Sequence, residues 1–426
     1  MDRQELVDWI WLAETIGRSG FVFRKLLSHF KHPNELHRAD ENTIRKIPGL
    51  TERNVAALMN KDQSAAVKIL DDCERLGISV LPYNANEFPH ILHDISDPPP
   101  LLYVAGKLPD LETRFCIAMV GTRKMSEAGM QNAYRLSWEL STAGALIISG
   151  LAEGIDGVCA VGALQGGGQT IAVVGCGLDI AYPAHHGKLM NRIVQAGGAI
   201  LSEYPPGIPP SQYHFPVRNR IISGLSQIVI VVEAGMSSGS LITAREAFAQ
   251  GKKVFTIPAD PETHVADGNN KLLQDGANVV LESRDLVEHF RYVFRNRPLA
   301  EQVKPLLGGA NREALRELGV IGFENVCEEE LPKQKKERPK KEKKAERAPV
   351  AETDPVPEHP CAIPDAILQS LDRVQLAVLE AMPDDCPIVP EKIQTEFSLG
   401  EVMAALTILE VLGIVRKLPG SMYGKT

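Results

Sequence analysis

Residues 205–226, PPGIPPSQYHFPVRNRIISGLS, place three rings, Tyr213, His214 and Phe215, just before Arg218, Asn219 and Arg220. Pro205, Pro206, Pro209 and Pro210 stiffen the loop that presents the rings, and the arginines enter on the first turn of an expected helix. Unpaired nucleic acid asks for this combination, because a flat ring stacks on any base while a guanidinium holds phosphate through charge-assisted hydrogen bonds. The structural alternative is that Phe215 fills a core and Arg218 pairs with Glu203 or Glu233 behind the surface. Gly121-Thr122-Arg123 repeats the chemistry at a second point, an arginine beside a glycine that lets a ligand approach the backbone. Ser237-Ser238-Gly239-Ser240 adds a small-residue rim at a helix start, where free amides and the helix dipole attract anions.

Other chemistries lack their parts. Gly175-Cys176-Gly177 has Ile180 where a dinucleotide fingerprint needs its third glycine, and no stretch reads GxxxxGK[ST], so a kinase or ATPase is not expected. Ser149 with Asp156, and His185 with His186, come without the partners that a hydrolytic triad or a metal site requires. The seven cysteines are scattered, with no CxxC pair and no zinc spacing, which fits a reducing compartment; no metal or cofactor is expected. One enzymatic alternative stays open: Glu233-Ala234-Gly235 before SSGSLITA resembles the glutamate and phosphate-binding helix start of Rossmann-like nucleoside monophosphate hydrolases.

These residues stand at the ends of apolar runs. CIAMVGTR (116–123), ALIISG (145–150), TIAVVG (170–175), AILSEY (199–204), QIVIVVEA (227–234), KVFTIP (253–258) and ANVVL (277–281) read as strands. Helical patterns lie between them at 126–142, 154–165, 187–196, 218–225, 240–250 and 269–275. Near-continuous apolar strands alternating with helices predict an α/β fold, a Rossmann-like doubly wound and mostly parallel sheet. In such a sheet the ligand crevice lies beyond the carboxyl ends of the strands, where Arg123 and the Ser/Gly rim stand.

The rest of the chain divides around that segment. Residues 1–105 are expected to form a helical domain, in which an apolar helix, Pro48-Gly49 and a second helix at 54–58 have the shape of a helix-hairpin-helix. Such a turn either offers amides to a phosphate or only packs. Residues 106–290 hold the Rossmann-like domain, 291–331 a short helical annex, and 332–362, nearly all Lys, Glu, Arg, Pro and Ala, a charged disordered linker. Residues 363–426 pattern as three helices and a small hairpin around Pro419-Gly420, a winged helix whose third helix carries no arginine or lysine to read bases with. A net charge of −8 over 426 residues excludes a histone-like coat for nucleic acid. No apolar run reaches the roughly 20 residues of a membrane span, so a cytoplasmic protein without membrane contact is expected.

VGTRKMSEAG (120–129), SGLAEGID (149–156), TIAVVGCGLDIAYP (170–183), FPVRNRIISGLS (215–226), VVEAGMSSGSLITA (231–244) and GNNKLLQDGA (268–277) stand in the order and spacing of the DNA processing protein A family, also called DprA or Smf. The chain resembles that family along the whole alternating segment. The resemblance implies a non-enzymatic protein that binds single-stranded DNA, forms a homodimer and loads the RecA recombinase onto incoming strands in natural transformation. Carried over by position, it implies phosphate contacts from Gly121, Thr122 and Arg123 and a base-stacking ring at Phe215. Arg218, Asn219 and Arg220 would form a basic pocket, and Gly239 and Ser240 would complete its rim. It also places dimerisation near Asn270 to Val280. Three residues depart from the family pattern: Ala128 where an aromatic usually precedes Gly129, Ala160 where a histidine usually follows GID, and Ala259 in place of a glycine.

Overall fold

The computed structural model describes residues 1–18, 20–262, 264–290, 305–322 and 373–382, isolated positions from 393 to 409, and residues 415–418 and 422–425. The chain divides into two units, Met1–Gln334 and Lys335–Thr426.

Among the described residues, the first unit is built on nine strands: β1 (Ser79–Pro82), β2 (Leu101–Gly106), β3 (Cys116–Val120), β4 (Leu146–Ser149), β5 (Thr170–Val173), β6 (Ala199–Ser202), β7 (Ile228–Val231), β8 (Lys253–Thr256) and β9 (Asn278–Val279). They form one sheet in the order β1-β2-β6-β5-β4-β3-β7-β8-β9. Pairings from β6 across to β9 are parallel, whereas β2 runs antiparallel to β6 and β1 antiparallel to β2. Every residue of β3 to β7 is buried, so these strands are apolar without alternation, as a sheet covered on both faces demands.

Six helices precede the parallel strands: α1 (Arg3–Ile16), α2 (Gly20–Leu27), α3 (Pro33–Arg38), α4 (Glu41–Arg45), α5 (Glu52–Met59) and α6 (Ser64–Leu76). The others alternate with the strands or follow them: α7 (Glu127–Thr142), α8 (Ile155–Gln165), α9 (Gly187–Gln195), α10 (His214–Gly224), α11 (Ser240–Ala249), α12 (Asp267–Gln274), α13 (Ser283–His289) and α14 (Arg312–Glu317). Chain order reverses at β3, which pairs with β4 on one side and β7 on the other. A doubly wound sheet opens its ligand crevice at that reversal.

Two features correct the sequence reading. β1 and β2 belong to the sheet, so a domain boundary between 105 and 106 would cut through β2. Pro98, Pro99 and Pro100 read as loop and disguise the start of LLYVAG, which joins the sheet as an antiparallel addition on β6. α10 begins at His214 rather than 218, and Pro216 sits in its first turn, where a missing N–H forfeits no hydrogen bond. Phe215 is therefore fixed on a helix and not carried by a loop.

The N-terminal helices bury Trp9, Phe23, Leu26, Leu36, Ile44 and Leu58 together, with the Trp9 and Phe23 rings edge to face at 6.0 Å. The α4–α5 hairpin is present, with Gly49 at φ 76° in the turn. Its polar groups serve the protein: Thr51 Oγ1 accepts from the Asn54 amide at 3.2 Å, and Lys25 Nζ donates to the Gly49 carbonyl at 3.1 Å. That favours packing over a phosphate site. Within the expected annex 291–331, the Leu306 amide donates to buried Glu139 Oε1 at 3.0 Å and the Ala310 amide to Gln131 Oε1 at 2.7 Å, both on α7, while α14 packs against α8.

In the second unit, α15 (Arg373–Ala381) and the antiparallel hairpin of β10 (Val415–Leu418) and β11 (Met422–Lys425) share a core with Val378, Leu406, Leu409, Val415 and Tyr423. The hairpin falls where the sequence placed it. The linker 332–362 and most of the expected helices at 389–396 and 399–412 lie outside the described residues. Among the described residues, no helix is long and apolar enough to cross a membrane.

Candidate nucleic-acid interface

The carboxyl ends of β3 and β7 open onto a cleft of about 390 Å³ whose lining includes Gly121, Thr122, Arg123, Asp156, Phe215, Arg218, Asn219, Gly239 and Ser240. A hollow of about 340 Å³ shares Arg123, Phe215, Asn219 and Gly239 with it and adds Tyr182, Pro210 and Gln212. The topology brings these residues together: Arg123 follows β3, Phe215 and Arg218 ride the first turns of α10, and Ser240 opens α11 after β7.

Arg123 and Lys124 are exposed, and Phe215 is half-buried. The Arg123 guanidinium carbon stands 5.2 Å from the Phe215 ring centroid, within cation–π reach, and that of Arg218 stands at 6.0 Å. The Tyr182 ring is offset-stacked on Phe215, with centroids 5.3 Å apart and planes at 24°, so a second aromatic ring stands at the same hollow. Tyr182 escaped the sequence reading, although it is the next-to-last residue of the TIAVVGCGLDIAYP run, in the loop that follows β5.

The two arginines of α10 part company. Arg218 is 5% exposed and lies under the cleft, its Nη1 donating to the Gly150 carbonyl at 2.8 Å and to the Val173 carbonyl. Burial holds its pKa down to about 10, with the charge of Asp156 opposing. Arg220 does not line the cleft, contrary to expectation. It is 4% exposed and grips Glu203 with both terminal nitrogens at 2.7 Å, while its Nε donates to Asp97 at 2.8 Å. Residues two apart on a helix face different ways, so one arginine points at the cleft floor and the other at the carboxylates behind it. The pairing with Glu203 that the sequence left open for Arg218 belongs to Arg220.

The glycine-rich turn also differs from a free amide rim. The Gly121 amide donates to Asp156 Oδ1 at 3.2 Å and the Thr122 amide to the Glu233 carbonyl at 2.7 Å. Both are satisfied inside the protein, so this turn contributes shape and the Arg123 side chain rather than backbone donors. On the opposite rim, Asn219 Nδ2 donates to the Gly239 carbonyl at 3.3 Å, and the Ser238 and Ser240 hydroxyls bond each other at 2.8 Å. Ala128 and Ala160 are absent from the cleft lining, Ala160 being buried in α8.

Glu233, the residue on which a hydrolase would depend, is 4% exposed and accepts from the Ser126 amide at 2.9 Å and from the Ser126 hydroxyl. Burial raises its pKa against those bonds. It caps the start of α7 instead of facing the cleft. Asp156, the carboxylate in the cleft lining, accepts from the amides of Gly121, Gly150 and Ala152.

A family model described as DNA recombination-mediator protein A matches residues 79–291, half of the chain, beginning at β1. Protein Smf of Synechocystis is 29% identical over 430 residues, 99% of each chain. DNA processing protein DprA of Streptococcus pneumoniae is 41% identical over 224 residues, covering 53% of this chain and 73% of that one. The X-ray structure of DNA processing protein A from Streptococcus pneumoniae matches with a TM-score of 0.58 at 34% identity, over 66% of this chain and 97% of that chain. With a family model matched over half of its length, the chain belongs to the DNA recombination-mediator protein A family, the DprA/Smf proteins.

Proposed function

We propose that the chain binds single-stranded DNA in the cleft at the β3–β7 reversal. Bases stack on Phe215 and its neighbour Tyr182, and the exposed Arg123 and Lys124 neutralise phosphates. The observation that carries this reading is the Arg123 guanidinium 5.2 Å from a half-buried ring at an open cleft, because a duplex keeps its base faces stacked away from such a ring. With few cations in reach the salt dependence is shallow, about −0.7 in log–log slope per phosphate contacted. Fluorescence anisotropy with a labelled single strand and its duplex tests the proposal. Equal affinity for the two at physiological salt would remove it.

In keeping with the family, the bound strand is handed to the RecA recombinase during natural transformation or recombination in the cytoplasm, with no bond made or broken by this chain. The engagement of Glu233 and Asp156 within the protein speaks against the hydrolase alternative, so incubation with nucleoside monophosphates should release no base. The working form is a homodimer through the β9 end of the sheet. There Val279, on the edge strand of the described sheet, is 48% exposed and Leu281, two residues beyond it, 57%, apolar surface of the kind that a second chain covers.

A further inference from the structure

We infer that Asp156 and Arg218 act as a positioning pair that fixes the width of the cleft, and that Arg218 does not itself hold a phosphate. This rests on the single-strand reading of the cleft. The pair ties together the ends of three neighbouring parallel strands. Asp156 accepts from Gly121, just beyond β3, at 3.2 Å, and from Gly150, just beyond β4, at 3.1 Å. Arg218 donates to the Gly150 and Val173 carbonyls, the latter at the end of β5. Arg123 departs two residues after Gly121, and Phe215 lies one helical turn before Arg218. The distance between the exposed cation and the ring is therefore set by bonds made beneath them.

Three observations separate this role from phosphate binding. Arg218 is 5% exposed, and its Nε is buried with neither solvent nor a hydrogen-bond partner. Its charge is already opposed by Asp156, so a phosphate arriving there would compete with a carboxylate held by three amides. Gly150 has no room for a side chain: a Cβ would lie 2.7 Å from both Arg218 Nη2 and Asp156 Oδ2, wedged between the two charges.

The test compares full-length Arg123→Ala, Arg218→Gln, Asp156→Asn, the Asp156→Asn/Arg218→Gln double variant and Gly150→Ala. Each is measured for melting temperature and for affinity to a labelled single strand across a salt series. Arg123→Ala should make the salt slope shallower by about 0.7, the signature of one lost phosphate contact on a single strand. Arg218→Gln and Gly150→Ala should weaken binding at least tenfold at unchanged slope. Asp156→Asn should also weaken it, although losing a negative charge beside a polyanion would by itself strengthen it. In the double variant much of the single variants' loss in melting temperature should return, since neither charge is left alone. A slope shallower by about 0.7 for Arg218→Gln, or tighter binding by Asp156→Asn, would overturn the pair's role. A wild-type protein that bound no strand would remove the cleft's proposed function alone; the melting cycle would still judge the pair, which additive losses would refute.

Discussion

Replacing Phe215 with alanine separates a stacking ring from a core ring. A fully buried phenylalanine costs about 3–5 kcal/mol of folding free energy when cut to alanine. Phe215 is half-buried and covered on its flanks by Tyr182 at 5.3 Å and Arg123 at 5.2 Å, so less apolar surface is lost, and about 1–2 kcal/mol is expected. Spread over the whole Met1–Gln334 unit, that lowers the melting temperature by roughly 1–3 °C. Stacking on one base is worth about 1–3 kcal/mol, which is about a 5- to 150-fold rise in Kd for a single strand. Anisotropy with a labelled oligonucleotide and a thermal melt of the same preparation give the two numbers side by side. Phe215→Tyr and Phe215→Trp should restore most of the affinity, because any flat ring serves. A Phe215→Ala protein with a sharply lowered melting temperature and unchanged affinity would refute the reasoning and return the ring to the core.

The remaining expectations concern stability and assembly. Arg220→Met leaves Glu203 buried without its bidentate partner and should cost about 3–5 kcal/mol of folding stability, while the salt slope of strand binding stays unchanged because no phosphate contact is lost, as read by melting and by titration across a salt series. His186 is fully buried, donates from Nδ1 to the Leu151 carbonyl at 3.1 Å, and leaves Nε2 without a partner, so a second proton would be stranded and burial pushes its pKa down to about 4. Because the unfolded chain then binds the proton more tightly, stability should fall as pH drops from about 6.5 to about 4, by about 3 kcal/mol in full. His186→Gln should flatten that part of a denaturation–pH profile; an unchanged profile would assign the loss to other groups. Light scattering at tens of micromolar should report a dimer for the wild type and a monomer for a Val279→Asp/Leu281→Asp variant, and a wild-type monomer would end the dimer proposal.

What the sequence disclosed follows from how far each feature depends on the rest of the fold. β3 to β7 are buried at every residue, and that condition prints itself on the chain as unbroken apolar runs. Their ends could be found without knowing the strand order, and so could Arg123 and Gly239. β2 was hidden because it reads as one more apolar run behind three prolines, and only its partner β6 shows that it extends the sheet. The partners of charged groups were still less legible. Arg218 comes within electrostatic reach of Asp156, and Arg220 grips Glu203, because the fold brings α10 to the ends of different strands, and spacing along the chain carries no trace of that placement. For the same reason the Gly121 and Thr122 amides looked free: their acceptors, Asp156 and the Glu233 carbonyl, are 35 and 111 residues distant in the chain, the second number being the difference between 122 and 233.

An acidic chain that holds a polyanion must do so by local geometry. The net charge of −8 repels a strand at long range, but charges farther than about 8 Å are largely screened at physiological ionic strength, so the cations at the rim decide the encounter. Two exposed cations are few, and rigidity has to supply what charge does not. α10 is held on its far side by Arg220 on Glu203 and Asp97, and its first residue is pinned as well. His214 donates to the Gly175 carbonyl at 2.9 Å and stacks on Tyr204 at 4.0 Å, which in turn lies under the Arg18 guanidinium at 4.6 Å. Arg18 also donates to the Glu203 carbonyl at 3.2 Å, so the N-terminal helices reach the base of the same helix. Phe215, next to His214, is thereby presented in one orientation before any ligand arrives. A ring already in place loses little freedom on stacking, and the free energy of each base contact goes into affinity instead of into ordering the site.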